Sequence, residues 1–253
     1  MKIREVETQL VRMPMEEPLV GAPPFPGMLR EFVTVQIRTD DGIEGIGVTG
    51  FGGKIIRALK AAVEEFGELI KGDDPINVEA ITRKLKEASS HCGPGGLATI
   101  ALTAIDVALW DIRGKAFGLP IARLLGGLRE RVPAYASGAL MRTSPTDKVL
   151  EAAAALVKKG YRQMKTQMAV DGLTAAQEIE RIRLVREAVG PDVALMVDIN
   201  QRWSAQEAIS IGHRVADLGL GWLEDVTSAN DYQGLASVAA ALTTPVCGGE
   251  YLY

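Results

Sequence analysis

The second half of the chain alternates strand-like and helix-like segments, and three consecutive strand-like segments end in a carboxylate. Asp198, Glu224 and Glu250 occupy these ends at intervals of 26 residues. In a parallel barrel the carboxyl ends of the strands converge on one rim, so one acidic side chain per repeat brings several ligands together. Because carboxylate oxygens suit a hard divalent cation, the spacing predicts a Mg2+ site.

Five strands and four intervening helices are predicted after residue 131. The strands are 132–139, 161–168, 193–200, 221–226 and 245–253, and the helices are 146–159, 174–189, 204–218 and 231–241. Strands that alternate with helices of this length predict right-handed βαβ units and a parallel sheet. Since no glycine-rich phosphate-binding motif follows the first of these strands, the pattern favours a TIM-type (β/α) barrel over an open nucleotide-binding sheet.

The first half of the chain has a different sequence pattern, in which β-rich runs precede amphipathic helices. The β-rich runs are 2–11 and 31–50, and the helices are predicted at 54–71, 76–88 and 97–117. We therefore predict an α+β capping domain over residues 1–125, with a three-stranded antiparallel sheet plus helices. Residues 126–253 would then hold the first five strands of the barrel.

A segment rich in Pro and Gly, residues 16–30, interrupts the β-rich part of the capping domain. Long connections of this kind often form lids over binding sites. We therefore take Phe25 as a candidate substrate contact. A disordered insertion is the alternative reading of the same composition.

Charge and composition exclude several classes of partner. The chain has 253 residues and a net charge of −4, which gives no reason to expect nucleic acid or an anionic membrane as a partner. No apolar run approaches the roughly 20 residues that a membrane helix needs. Two cysteines, Cys92 and Cys247, form no CxxC pair, so a reducing, cytoplasmic location is expected.

Further polar side chains are predicted to share the rim with the three acids. Residues two apart on a strand point the same way, so Lys165 and Gln167 should face one side of the sheet together, as should Asp198 and Asn200. Three carboxylates this close would repel one another and raise each other's pKa unless a cation compensated them. The alternative is that the acids are solvated strand ends or helix caps, but their repetition favours a metal.

Several motifs in order then carry a family resemblance. They are AIDVALWDIRGKAFGLPIARLLGG at 104–127, GYRQMKTQ at 160–167, MVDINQ at 196–201, WLED at 222–225 and GGE at 248–250. With them the chain resembles the enolase superfamily, in the mandelate racemase and muconate lactonizing enzyme branch. The resemblance implies a capping domain, a modified (β/α)7β barrel and a homo-oligomer.

The same resemblance implies a chemistry and a set of roles. Asp198, Glu224 and Glu250 would bind Mg2+, and the reaction would remove the proton α to a carboxylate to give an enediolate held by the metal. Lys165 would add positive charge beside the substrate carboxylate, and a metal nearby would tend to lower the pKa of Lys165. Asn200 and Asp225 would contact substrate or support the metal ligands.

Gln167 departs from the pattern of the branch, in which a second lysine acts as a base. An amide can only hydrogen-bond, and racemisation needs acid and base groups on both faces of one carbon. We therefore expect dehydration of an acid sugar, an aldonate or aldarate. The alternatives are a racemase, epimerase or cycloisomerase, or a catalytically silent, truncated member that serves in binding or assembly.

The position of Tyr253, just after the fifth predicted barrel strand, is the second departure. Members of the branch continue through further strands that bring acid and base groups, commonly an Asp-His pair or a lysine. A five-strand arc would also leave parallel strand edges and apolar surface in water. We therefore expect the barrel to continue beyond this residue.

Overall fold

The computed structural model describes residues 1–14 and 29–252, and these form two compact units. One unit comprises Met1–Pro14 and Leu29–Arg131, and the other comprises Val132–Leu252. Phe25 and most of the candidate lid lie outside the described residues. None of the helices in the described ranges is long and apolar enough to cross a membrane.

The first unit is built on a three-stranded antiparallel sheet. Its strands are β1 (Ile3–Pro14), β2 (Leu29–Thr39) and β3 (Glu44–Thr49), in the order β1-β2-β3. The alternating residues Val33, Val35 and Ile37 of the central strand are fully buried, which fixes the face of the sheet that meets the helices.

Four helices follow the sheet: α1 (Ile56–Ile70), α2 (Val78–Ala88), α3 (Gly96–Phe117) and the short α4 (Ile121–Leu124), with a 3-10 turn at Gly53–Ile55. Helix α3 lies directly on β3 because Gly45 and Gly47 present no side chain to it. A Cβ atom on Gly47 would lie 1.9 Å from the carbonyl oxygen of Ala104. The run GIGVTG at 45–50 matches the pattern GxGxxG, but its first two glycines, Gly45 and Gly47, serve strand–helix packing.

The second unit is a four-stranded parallel sheet whose strands alternate with helices. Its elements are α5 (Thr146–Lys158), β4 (Gln163–Gln167), α6 (Ala175–Val189), β5 (Ala194–Asp198), α7 (Ala205–Arg214), β6 (Leu223–Glu224), α8 (Tyr232–Ala241) and β7 (Val246–Cys247), with the strand order β4-β5-β6-β7. Capping boxes at Thr174 with Gln177 and at Ser204 with Glu207 start α6 and α7. In β5 the run from Leu195 to Asp198 is buried on both faces, as expected inside a parallel sheet.

Two predicted strands are much shorter in the structure. Of residues 132–139, Ala136 alone pairs, in an isolated parallel bridge with Met164. Pro133 has no N–H to donate, and Gly138 adopts φ 78°, so the segment turns away from the ladder. The last strand ends at Cys247, because Gly249 at φ 143° takes the chain out of strand geometry.

The chain passes from the first compact unit to the second a few residues after Gly126 and Gly127. The structure divides the chain between Arg131 and Val132. Gly126 and Gly127 instead terminate α4, where their N–H groups donate to the carbonyl oxygens of Arg123 and Ala122. The glycine pair is therefore a helix end within the first unit.

Candidate metal centre

Parallel pairing brings the ends of three strands of the second unit together. In the register of the sheet, Gln167 lies opposite Asp198, and Asp198 lies opposite Glu224. Asp198 is the last residue of β5 and Glu224 the last of β6, as the sequence predicts. The two carboxylates consequently leave neighbouring strands at the same level of the sheet.

Three carboxylates form one cluster at these strand ends. Asp198, Glu224 and Asp225 each offer an oxygen atom, and these atoms lie within 4.8 Å of one another. Asp198 and Asp225 are buried, and Glu224 is partly buried. Carboxylate oxygens at this spacing suit a hard cation that prefers oxygen ligands.

Lys165 joins the cluster from β4. Its Nζ lies 3.3 Å from Asp198 Oδ2 and donates a hydrogen bond to Glu224 Oε1. Burial lowers the pKa of Lys165, but the hydrogen bond to Glu224 and the charges of Asp198 and Glu224 outweigh burial, so the pKa is raised. A nearby metal ion is expected to lower the pKa of Lys165. The protein's own carboxylates act in the opposite direction, and they keep the lysine protonated.

Glu224 is fixed on both of its oxygen atoms. Trp222 Nε1 donates to Glu224 Oε2 at 2.8 Å, while Lys165 bonds to Oε1. The ring of Tyr135 packs edge-on against Trp222, with 5.7 Å between ring centroids. The carboxylate of Glu224 is therefore held in place by the protein itself.

Asp225 contributes the oxygen atom that most clearly lacks a partner. Its Oδ1 accepts a long hydrogen bond of 3.4 Å from the Gly249 N–H, whereas its buried Oδ2 has no hydrogen-bond partner among the described residues. Burial, together with the charges of Asp198 and Glu224, raises the pKa of Asp225. A cation would supply the partner that this buried oxygen lacks, so the residues present fit a metal.

Glu250 lies outside the cluster of three. Its residue is exposed, three positions after the end of β7. Partial desolvation of the carboxyl group and the negative charges of Asp198 and Asp225 nevertheless raise the pKa of Glu250, so its carboxyl group interacts electrostatically with the cluster. Its role as a metal ligand stays a prediction, and Asp225 takes a more central place than the sequence suggested.

The sequence did not indicate Arg142, which joins the predicted polar residues Gln167 and Asn200. Gln167 Oε1 accepts from the backbone N–H of Arg142 at 3.2 Å and from its Nε at 3.3 Å. Gln167 Nε2 donates to Asn200 Oδ1 at 3.1 Å. The available signal was the location of Arg142 shortly after the first predicted barrel strand, where loops of such folds carry site residues.

Comparison with known proteins identifies the family. Residues 7–126 match the mandelate racemase / muconate lactonizing enzyme N-terminal domain, and residues 148–253 match the enolase C-terminal domain-like family. The chain belongs to the enolase superfamily. The matched ranges cover both units and assign the parallel sheet with its helices to the barrel-type domain of that superfamily.

Relatives with named activities are similar over nearly the whole chain. An L-talarate/galactarate dehydratase of Salmonella typhimurium is 35% identical over 99% of this chain and 64% of its own length. A D-galactarolactone cycloisomerase of Agrobacterium fabrum is 36% identical over 99% of this chain and 65% of its own length. The chain therefore spans about two thirds of the length of these relatives.

A solved structure of the Salmonella typhimurium dehydratase, liganded with Mg and L-lyxarohydroxamate, superposes with a TM-score of 0.86. It is 33% identical, and the match covers 98% of this chain and 64% of that one. The similarity at this level of identity extends from fold to family.

Proposed function

We propose that the protein is a Mg2+-dependent lyase that removes the proton α to the carboxylate of an acid sugar and dehydrates it. The observation that carries the proposal is the group formed by Asp198, Glu224 and Asp225, with Lys165 bonded to two of its members. Similarity to an L-talarate/galactarate dehydratase supports acid sugars, aldonates or aldarates, as the substrate class.

Asp198 and Glu224 would hold the metal, together with Asp225, Glu250 or both. Mg2+ bound there would supply positive charge that stabilises a substrate carboxylate as its α-proton leaves. The orphaned Asp225 Oδ2 supports this arrangement, because a buried carboxylate oxygen without a partner is costly. Glu250 follows β7 and the pair Gly248 and Gly249.

Lys165 would provide a second positive charge. It is protonated in its present surroundings, and its side chain is only 11% exposed, so its charge acts in a weakly screened environment. From β4 it can reach a carboxylate that lies beside Asp198 and Glu224. Electrostatic stabilisation of this kind lowers the barrier to forming a carbanion-like species.

Gln167 would orient substrate by hydrogen bonding, because an amide does not exchange protons as a base does. The absence of a base at this position affects inversion of a carbon, which needs groups on both faces, more than elimination of water, which can use one base. The racemase and epimerase alternatives are therefore less favoured. A cycloisomerase is the second candidate, supported by similarity to the D-galactarolactone cycloisomerase.

The test is to incubate the whole protein with Mg2+ and a panel of aldonates and aldarates, and to detect 2-keto products with semicarbazide. Asp198→Asn should abolish the product, and Asp192→Asn, which changes an exposed acid of the same unit, should leave it intact. Proton NMR in D2O separates dehydration from cycloisomerisation. Binding of Mg2+ without conversion of any acid sugar would overturn the proposal.

The third metal ligand can be assigned by Mg2+ titration calorimetry. Asp225→Asn and Glu250→Gln each remove one candidate carboxylate and keep nearly the same shape. The variant with the larger loss of Mg2+ affinity identifies the ligand, and equal losses indicate that both take part. No loss in either variant would contradict a site with more than two carboxylates.

We further propose a homo-oligomer in the cytoplasm. Cys92 and Cys247 are both unpaired in the structure, which agrees with a reducing compartment. Sedimentation velocity of the whole protein tests the oligomeric state.

A further inference from the structure

Arg142 is a buried arginine whose hydrogen bonds go to neutral acceptors. Its residue is 7% exposed, and it lies between the bridge at Ala136 and helix α5. Its Nη1 donates to the carbonyl oxygen of Ile199 at 3.0 Å, and its Nη2 donates to that of Asp198 at 3.4 Å. Among the described residues, Arg142 forms no salt bridge with a carboxylate.

The guanidinium also decides how two amides are oriented. It carries only donors, so Gln167 must turn its Oε1 toward Arg142, and its Nε2 then faces Asn200. Asn200 Oδ1 accepts from both Gln167 Nε2 and Arg142 Nη2. The Nδ2 of Asn200 is thereby left on the opposite side, where the Tyr251 hydroxyl lies 3.5 Å away.

Arg142 further supports the segment that carries a candidate metal ligand. Its two bonds to the carbonyls of Asp198 and Ile199 hold the end of β5. Within the same segment the Asn200 backbone N–H donates to Asp198 Oδ1 at 2.9 Å. The orientation of the Asp198 carboxylate is consequently linked to Arg142 through Asn200, which is hydrogen-bonded to both.

We propose that Arg142 is a positioning residue, which fixes the Asp198 carboxylate for the metal and leaves the Gln167 and Asn200 amides to present N–H groups. The ligand recognised by these amides would carry acceptor oxygens, as the carboxylate and hydroxyl groups of a polyhydroxy acid do. This substrate class rests on the function proposed above. The positioning of Asp198 does not.

A purely structural role is the competing explanation, and Arg186 is a matched control for it. Arg186 is a partly buried arginine on α6 whose guanidinium also donates to backbone carbonyls, those of Leu218, Gly190 and Val193. Val193 precedes β5, so Arg186 supports the amino end of the strand that Arg142 supports at its carboxyl end. It touches neither amide nor carboxylate of the site.

The experiment compares Arg142→Met, Arg142→Lys and Arg186→Met in the whole protein. Mg2+ affinity is measured by calorimetry, and folding is measured by thermal unfolding. KM and kcat are measured at saturating Mg2+ with an acid sugar that the wild type converts. We expect Arg142→Met to weaken Mg2+ binding about tenfold or more and to raise KM by a similar factor, in line with other residues that support metal ligands. Arg142→Lys should recover only part, because lysine lacks the planar fork.

Arg186→Met should lower the unfolding temperature while its Mg2+ affinity stays within about twofold of the wild type, well below the loss typical of residues that support metal ligands. Unchanged Mg2+ affinity in Arg142→Met, or an equal loss in Arg186→Met, would overturn the positioning of Asp198. Unchanged KM in Arg142→Met at saturating Mg2+ would overturn the role assigned to the amides. If the wild type binds Mg2+ but converts no acid sugar, the proposed function fails, and the calorimetric comparison still decides the role of Arg142.

Discussion

Lys165→Met is the substitution that most directly tests how the charge cluster is balanced. Lys165 Nζ is 3.3 Å from Asp198 Oδ2 and also bonds to Glu224, and the three side chains are 11%, 4% and 14% exposed. Methionine fills a similar volume without a charge. The substitution therefore leaves Asp198, Glu224 and Asp225 together without the cation that the protein provides.

The expected loss is large because the ion pairs are shielded from water. At 3.3 Å and an effective dielectric constant of about 20, one pair of unit charges interacts with about 5 kcal/mol. Desolvation of the lysine offsets part of this, and breaking buried pairs on one side typically costs about 3–5 kcal/mol. For a unit of this size the loss corresponds to a fall in unfolding temperature on the order of 10 °C.

The assay is thermal unfolding in EDTA and in a Mg2+ series, with Lys148→Met as the control. Lys148 pairs with Glu151 at 2.8 Å in the same unit, but the two side chains are 44% and 61% exposed. An exposed pair contributes about 0–1 kcal/mol, so the control should scarcely change. Mg2+ should raise the unfolding temperature of Lys165→Met more than that of the wild type, because no ammonium then competes for the carboxylates.

Two results would refute the reasoning. In EDTA, a Lys165→Met protein as stable as the Lys148→Met control would mean that the ammonium and carboxylates do not stabilise one another. A Mg2+-induced shift equal in Lys165→Met and wild type would mean that the metal and Lys165 do not share ligands. A double variant, Lys165→Met with Glu224→Gln, should regain part of the stability in EDTA by removing one of the repelling charges.

Three further predictions concern other contacts. Gly47→Ala should destabilise the first unit by about 1–3 kcal/mol or more in urea unfolding, because its Cβ would lie 1.9 Å from a carbonyl of α3. Gly50→Ala is the control: its Cβ would lie at an ordinary 3.7 Å from the Phe32 ring, so the substitution should be tolerated. Burial raises the pKa of Asp106 despite a hydrogen bond from Thr82, so the folded state binds the proton of this carboxyl group more tightly than the unfolded state. Asp106→Asn should therefore raise the unfolding temperature at pH 7. This gain should vanish as the pH falls below the ordinary pKa of aspartate. Because Trp222 Nε1 donates to Glu224 at 2.8 Å, Mg2+ should change the tryptophan fluorescence, and Trp222→Phe should remove most of that change.

Helices of the second unit could be predicted closely from the sequence, since their signals are local. The segment predicted at 174–189 is a helix at Ala175–Val189, capped by Thr174, and the segment predicted at 231–241 is Tyr232–Ala241. One helix was predicted to be longer than it is. The segment 204–218 ends as an α-helix at Arg214 and continues as a 3-10 turn over Ala216–Leu218, before Gly219 at φ 59°.

Strand lengths were harder to predict because a strand exists only where a partner pairs with it. The apolar, β-prone segment 132–139 makes one bridge, and composition alone cannot show that Gly138 turns the chain away. Arg142 was missed for a related reason. Its five acceptors come from two other stretches of the chain, 167–169 and 198–200, so its role depends on contacts that no local pattern encodes.

The site itself departs from local propensity where the strands end. Asn200, Gln201 and Asp225 have φ values of 51°, 65° and 44°, a left-handed conformation that costs residues other than glycine energy. Two short contacts hold the turn in place: the Gln201 N–H donates to the Asp225 carbonyl at 2.6 Å, and Gln201 Oε1 accepts from the Ala229 N–H at 2.7 Å. A strand alternation would send Asp225 to the face opposite Glu224, and the left-handed turn instead brings its carboxylate into the cluster. The period-two rule therefore applies to Asp198 and Glu224, which end their strands, and does not apply to Asp225, because the strand has already ended there.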